Sequence, residues 1–467
     1  MTLLPLSPGE PALRIGPFET DAGAVIPDLR VAFRRDGPRT SSAILVVHAL
    51  TGSADAAGDW WKPLIGPGKA LDTNEQHVIC INLLGSCYGT TGPRELSSFP
   101  KVTPRDQARA QWVALDALGV DRLSLVIGGS LGGMVAQEVA LARPSAVEAL
   151  VSIASPARIG NLAAAWNHIQ RELIAANPER GLELARQLAM TTYRSEVDFD
   201  TRTEIDSYLE YQGQKLRLRF DAASYAALTE AMDAHDIGAG RGGIIEALRP
   251  LARAGVRLVG VGIEGDILYG PRQVHALVDA ARAAGVEAAY REIASDKGHD
   301  AFLVEWDQLK AILGDVLGSG EARYEQYFGT LQQQYPGRVC FYWGYSNELA
   351  HLIEAGSDMF LMPSLYEPCG LNQMYSLRYG TVPIVRNTGG LADTVELYDP
   401  ETGKGTGIVF DDYNREGIAW ALTTALTLYQ RPRHWRQMML NGMAKDYSWD
   451  RQGAQYVKLY QRLATAA

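Results

Sequence analysis

The stretch RLSLVIGGSLGGMVAQ, residues 122–137, decides the fold. Its apolar run 123–127 predicts a buried strand, and the small and apolar residues 134–141 predict a helix. Between them Gly128, Gly129, Gly132 and Gly133 flank Ser130. Strand, Gly-x-Ser-x-Gly, helix is the pattern of a nucleophile elbow, a turn so sharp that its neighbours cannot carry bulky side chains. Such a turn lifts the serine hydroxyl above the sheet and leaves the next backbone N–H free for an oxyanion. A glycine-rich turn with a bystander serine would share the pattern, so the surrounding chain has to decide.

The chain is long enough for two or three domains, at 467 residues. Its 46% hydrophobic and 21% charged residues are ordinary for a globular protein. A net charge of -10 argues against a binder of nucleic-acid backbones, which needs a basic footprint. Cys80, Cys87, Cys340 and Cys369 have no metal-ligand spacing, so no metal site is expected and a reducing cytoplasm is the expected setting. The opening MTLLPLSPGEPALRIG lacks a basic region followed by a long apolar core, so no signal peptide is expected. No apolar run approaches the roughly 18 residues needed to span a bilayer, and no membrane association is expected.

Upstream of the elbow, residues 14–34 predict paired strands. The continuous apolar run 43–47 predicts a central strand. It leads into His48-Ala49-Leu50-Thr51-Gly52, placed to supply a second oxyanion N–H. Leu50 is the natural donor, paired with the N–H of Leu131. His48 reads as a packed or orienting residue, because a better base lies downstream. A further strand, 77–82, feeds the Gly- and Thr-rich loop 83–93. Downstream, residues 150–154 predict a strand, and residues 157–240 are mostly helical, an inserted lid. Strands return at 257–263, before Glu264-Gly265-Asp266, and at 289–293, before Ser295-Asp296-Lys297-Gly298-His299-Asp300.

Ser130, Asp266 and His299 thus follow three strands, in the chain order of α/β-hydrolases. A serine hydroxyl is a weak nucleophile until an imidazole takes its proton, and a carboxylate must hold that imidazole in the right tautomer. Glu264 is the rival acid; Asp266 is preferred because it begins the loop before Pro271.

VVHALTG, the Trp60-to-Thr73 block, NLLGSCYGTTGP, GGSLGGM, MTTYRS, YLEYQGQKLRLRFDAASY and GHDAFL make residues 10–315 resemble homoserine O-acetyltransferases. The resemblance implies an α/β-hydrolase fold and ping-pong transfer. Ser130 would take an acyl group from acetyl-CoA, a co-substrate with no bound cofactor, and L-homoserine would discharge it. It also implies that Arg186 binds the substrate carboxylate, that Asp300 holds its amino group, and that the enzyme is a homodimer. Arg194, in MTTYRS, is a candidate second contact, with a structural role the preferred reading. One departure is Ser86, where the family's loop has glycine. Succinyl transfer, or serine as acceptor, is therefore the alternative, and a simple esterase would use the same triad.

Residues 317–463, with FYWGYSNELAHLIEAGSDMFLMPSLYEPCGLNQMYSLRYGTVPIVRNTGGLADTV, resemble the last part of bacterial glycogen synthases. The resemblance implies a partial Rossmann-like segment of the GT-B type, with Glu367, Cys369, Gly370, Leu371 and Thr388 lining a sugar-nucleotide site. The family's amino-terminal domain and the first half of its carboxyl-terminal domain are missing, so an ADP-glucose or glucan function is the alternative reading and inactivity the expectation. The domain expectation is an acyltransferase unit over 1–315 and a glycosyltransferase-like unit over 316–467, with Gly318-Ser319-Gly320 just past the junction.

Overall fold

A computed structural model describes residues 3–7, 10–96, 98–317, 322–342, 347–367, 369–448, 451, 453, 456 and 461. The Gly318-Ser319-Gly320 turn lies outside them. The chain divides into a unit of residues 1–341 and a unit of residues 342–467.

The first unit is built on a nine-stranded sheet. Its strands are β1 (Leu3–Ser7), β2 (Glu10–Glu19), β3 (Val25–Asp36), β4 (Ser42–Val47), β5 (Val78–Ile81), β6 (Arg122–Gly129), β7 (Ala149–Ile153), β8 (Arg257–Ile263) and β9 (Ala288–Ile293). They lie in the order β1-β2-β3-β5-β4-β6-β7-β8-β9. Pairing is antiparallel from β1 to β5 and parallel from there on.

Alternate residues of the parallel strands feed two separate cores. Leu45 and Val47 of β4 join Val126 of β6 on one face, under α1 (Pro104–Ala117) and α2 (Leu131–Ala142). Ile44, Val46, Leu125 and Ile127 join Trp61, Phe302 and Leu313 on the other. Burial on both faces is why these strands read as unbroken apolar runs. Register places Val47 opposite Gly128, and Gly129 opposite Ile153, so three strand ends meet at the elbow.

Between β7 and β8 the chain leaves the sheet for α3 (Asn161–Ala176), α4 (Gly181–Tyr193), α5 (Glu196–Asp200), α6 (Ile205–Arg217) and α7 (Ala222–Asp233). α8 (Ile244–Ala254) returns to the sheet, and α9 (Pro271–Ala283) and α10 (Trp306–Leu317) flank β9. Asp233 ties the lid together, accepting from Asn167 Nδ2 at 2.8 Å and Arg171 Nη2 at 2.6 Å.

The second unit holds a three-stranded parallel sheet, β10 (Met359–Met362), β11 (Val382–Arg386) and β12 (Ile408–Phe410). The observed division at 341/342 falls later than the 315/316 junction read from sequence. The physical reason is that the second sheet begins only at Met359, so α11 (Ala322–Gln334) is not drawn into it.

Gly132 sits inside α2, yet a Cβ there would lie 2.2 Å from the Val47 carbonyl oxygen, a backbone atom with little room to move. Gly119, by contrast, has φ +74° and open space around it. Gly119→Ala should cost about 1–2 kcal/mol, the strain of a left-handed alanine. Gly132→Ala should cost about 3 kcal/mol or more, the upper range for forcing atoms into a packed core. Urea unfolding of both variants checks this; equal losses would mean that strand β4 does not press on the elbow.

Candidate active site

Ser130 ends β6 with φ 58° and ψ −126°; among the described non-glycine residues only Ala154 shares a positive φ. A backbone so placed persists only where its surroundings over-determine it. Here the Ser130 N–H donates to Ile153 O at 2.9 Å, and Ser155 Oγ donates to Ser130 O at 2.6 Å. Leu131 opens α2, so its N–H has no intrahelical acceptor. Among the described residues, neither that N–H nor the N–H of Leu50 has a protein acceptor. Gly132 against Val47 brings the loop carrying Leu50 alongside the elbow.

His48 is a strut. Its Nδ1 donates to Ala49 O at 2.8 Å and its Nε2 accepts from Leu83 N at 2.9 Å. Burial pushes its pKa down to about 4.

Asp266 and His299 meet. Asp266 Oδ1 accepts from the N–H groups of Leu268 (2.8 Å) and Tyr269 (3.0 Å), and Oδ2 accepts from His299 Nδ1 at 2.7 Å. This fixes the tautomer and leaves Nε2, buried without a partner, as the free basic nitrogen. Burial alone would lower the imidazole pKa. The Asp266 carboxylate, by charge and by hydrogen bond, with Asp300 adding, outweighs burial and holds it above 6.5. Glu264, the rival acid, is exposed. The His299 ring packs among Tyr193 (5.6 Å), Tyr269 (5.4 Å) and Phe302 (5.8 Å, edge-on). Phe302 also covers Gly129, where a Cβ would come within 2.6 Å of its ring, so one side chain links His299 to the residue before Ser130.

Above this, α4 carries Arg186, whose guanidinium lies 5.2 Å over the Tyr193 ring and makes no ion pair among the described residues. Asp300 pairs with Arg194 Nη2 at 3.1 Å. Arg194 therefore touches one of the expected substrate residues, a contact for which the sequence carries no signal. Tyr193, Tyr269 and Ser155 are site residues that sequence reasoning missed. Aromatics are dispersed through the lid sequence, and only the fold shows which of them reach His299. Ser86 is fully buried, with its hydroxyl unpartnered.

In the second unit two loops come together. Gly390 N donates to Glu367 O at 2.9 Å, and a Cβ on Gly390 would lie 1.9 Å from Cys369 O. Thr388 precedes the short helix Gly389–Thr394, and Gly370 (φ +70°) and Leu371 lead into Asn372–Tyr379. Glu367, Cys369, Gly370, Leu371 and Thr388 are thus gathered at the end of β10 and β11.

Among the described residues no group of three or more His, Cys, Asp or Glu could hold a metal ion. No described helix is long and apolar enough to cross a membrane. Residues 42–210 match the family model for the alpha/beta hydrolase fold, and residues 289–439 that for glycosyl transferases group 1. The homoserine O-acetyltransferase of Thermus thermophilus is 44% identical over 345 residues, covering 64% of this chain and 89% of that protein. That of Moorella thermoacetica is 40% identical over 348 residues, with 64% and 92% covered. The crystal structure of the Staphylococcus aureus homoserine O-acetyltransferase matches with a TM-score of 0.60 at 30% identity, over 68% of this chain and 99% of that one. Esterase E22 matches with a TM-score of 0.61 at 20% identity, over 66% and 99%, which shows the shared fold. The chain belongs to the homoserine O-acetyltransferase family, on the α/β-hydrolase fold, with a glycosyltransferase-like segment after it.

Proposed function

We propose that the first unit transfers an acetyl group from acetyl-CoA to the side-chain hydroxyl of L-homoserine, through an acetyl-Ser130 intermediate. The observation that carries this reading is the 2.7 Å Asp266–His299 bond, which leaves a basic Nε2 free in a fold that presents Ser130 on a strained elbow. His299 Nε2 takes the proton of Ser130 Oγ as Oγ attacks the thioester carbonyl. The N–H groups of Leu50 and Leu131 receive the oxyanion. The C–S bond breaks, and the departing thiolate takes the proton from His299. In the second half the homoserine hydroxyl gives its proton to His299 and attacks the acetyl carbonyl, and Ser130 leaves with that proton.

Arg186 suits the substrate carboxylate, since its fork has no competing acid. Asp300 suits the ammonium, and its ion pair with Arg194 orients it. The chemistry asks for no resident cofactor. The exposed Leu162 and Ile169 on α3 support a homodimer through the lid, and the cytoplasm is the setting that suits this reaction. For the second unit we propose no glucosyl transfer: a three-stranded sheet is half of a nucleotide-binding domain. Elongation of glycogen from ADP-glucose by the purified chain would overturn that.

Intact mass after brief mixing with acetyl-CoA should show one acetyl adduct, discharged on adding L-homoserine and absent in Ser130→Ala. Adduct only with succinyl-CoA would reassign the donor. Discharge by water at the same rate without homoserine would make the protein an esterase.

Because His299 must be neutral to act as base, kcat/KM should rise with pH through a midpoint above 6.5. Asp266→Asn removes the upward push on the imidazole, so the midpoint should move to lower pH. The plateau should fall by about 10³–10⁴-fold, as expected when the wrong tautomer is favoured. An unmoved midpoint would mean that another group sets the limb.

A further inference from the structure

The loop that carries His299 hangs from β9, the edge strand of the sheet, and most of β9 is only partly buried. Its local bonds, Ala294 with Gln308 and Ser295 with Glu305, hold the loop to α10. Beyond the His299–Asp266 bond, it is also anchored by the lid. Lys297 Nζ pairs with Asp198 Oδ1 at 2.9 Å. Ser195 Oγ donates to Asp296 O and accepts from Asp198 N–H at 3.1 Å. Gly298 (φ +66°) fits so closely under the lid that a Cβ would lie 2.6 Å from Ser195 N and 2.8 Å from Arg194 C.

Asp198 on α5 is a buried acid of the lid, as Glu183 on α4 is. It is 2% exposed and carries two cations, Lys297 and Arg202 (2.5 Å). A carboxylate this deeply buried must be paired to stay charged. Lys297 stands two residues before His299, so the pair fixes the base against α5 without touching the reacting atoms.

Resting on the acyl-transfer reading above, we infer that Asp198 and Lys297 are positioning residues for His299. With α5 docked, their ion pair fixes the segment that carries the imidazole and keeps its unpartnered Nε2 available to Ser130; with α5 released, the base drifts. The lid thereby governs the base as well as covering the site.

The test is single-turnover acetylation, followed by mass spectrometry at excess acetyl-CoA, and then discharge by L-homoserine. A rate constant is independent of the fraction of molecules folded; that fraction appears in the amplitude. Lys297→Met and Asp198→Asn should each slow both half-reactions by about ten- to a hundredfold, the scale of a displaced catalytic group. The homoserine concentration for half-maximal discharge should stay within about twofold, because substrate binding is not what is lost. Lys297→Arg should recover most of the rate. Wild-type rate constants in both the methionine and the asparagine variant, or a loss confined to amplitude, would overturn the inference. So would a change only in half-saturation. If Lys297→Met does not fold, the isosteric Asp198→Asn decides alone. A wild-type chain silent to acetyl-CoA but acetylated by p-nitrophenyl acetate would fail the donor assignment; the variants would then be compared with that ester.

Discussion

Everything in the site depends on one strained residue. Ser130 holds a backbone conformation that a side chain resists, and it does so because three strands leave it no alternative. The carbonyl of Ile153 on β7 claims its N–H, Ser155 claims its carbonyl, and the end of β4 presses on Gly132. The contacts come from the ends of two neighbouring strands, β7 and β4, so the kink belongs to the sheet and not to the turn. The same pressure serves catalysis twice: it leaves the Leu131 N–H unbonded at the head of α2, and it brings the Leu50 loop beside it. Strain of this kind costs on the order of 1–3 kcal/mol, which a sheet buried on both faces can sustain.

The second dependence is electrostatic. Four histidines of the first unit, His48, His77, His235 and His299, are buried, and burial lowers His77 too. Burial lowers His48 and His235 to about 4. Their backbone hydrogen bonds do not reverse that. Only His299 bonds to a carboxylate, and only His299 rises. Desolvation is shared by all four, so the choice of base is made by where Asp266 stands, at the end of β8, and not by how dry the pocket is.

The sheet, the elbow and the triad were legible because they are local statements. Apolar runs mark strands covered on both faces, and the glycines around Ser130 record where backbone approaches backbone. Asp266 and His299 follow strand ends, where chain order alone constrains them. The lid was legible only as helix. Nothing at Tyr193 or Arg194 in the sequence says that one ring packs on His299 and the neighbouring guanidinium on Asp300, because those contacts close over more than 100 residues of intervening chain. Domain limits were the least legible. A family-like motif begins where its sequence begins, whereas a compact unit begins where a sheet can recruit residues.

That difference bears on the second unit. It has its own small core, with Val382, Ile384, Ile408 and Phe410 of the sheet packed on Ala421, Ala425, Leu428, Trp435 and Met438. A core of that kind suffices to hold three strands in register. Sugar-nucleotide chemistry would in addition have to neutralise a diphosphate. The gathered loops offer backbone N–H groups and Glu367, while Arg386 at the end of β11 gives its guanidinium to the carbonyls of Ser364, Leu365 and Asp411. β10 is only partly buried, and Leu361, Leu365 and Tyr366 at its end are exposed. Stability in this unit is therefore local and separable from function. In the first unit the two are joined, because the contacts that strain Ser130 are the same ones that close the sheet.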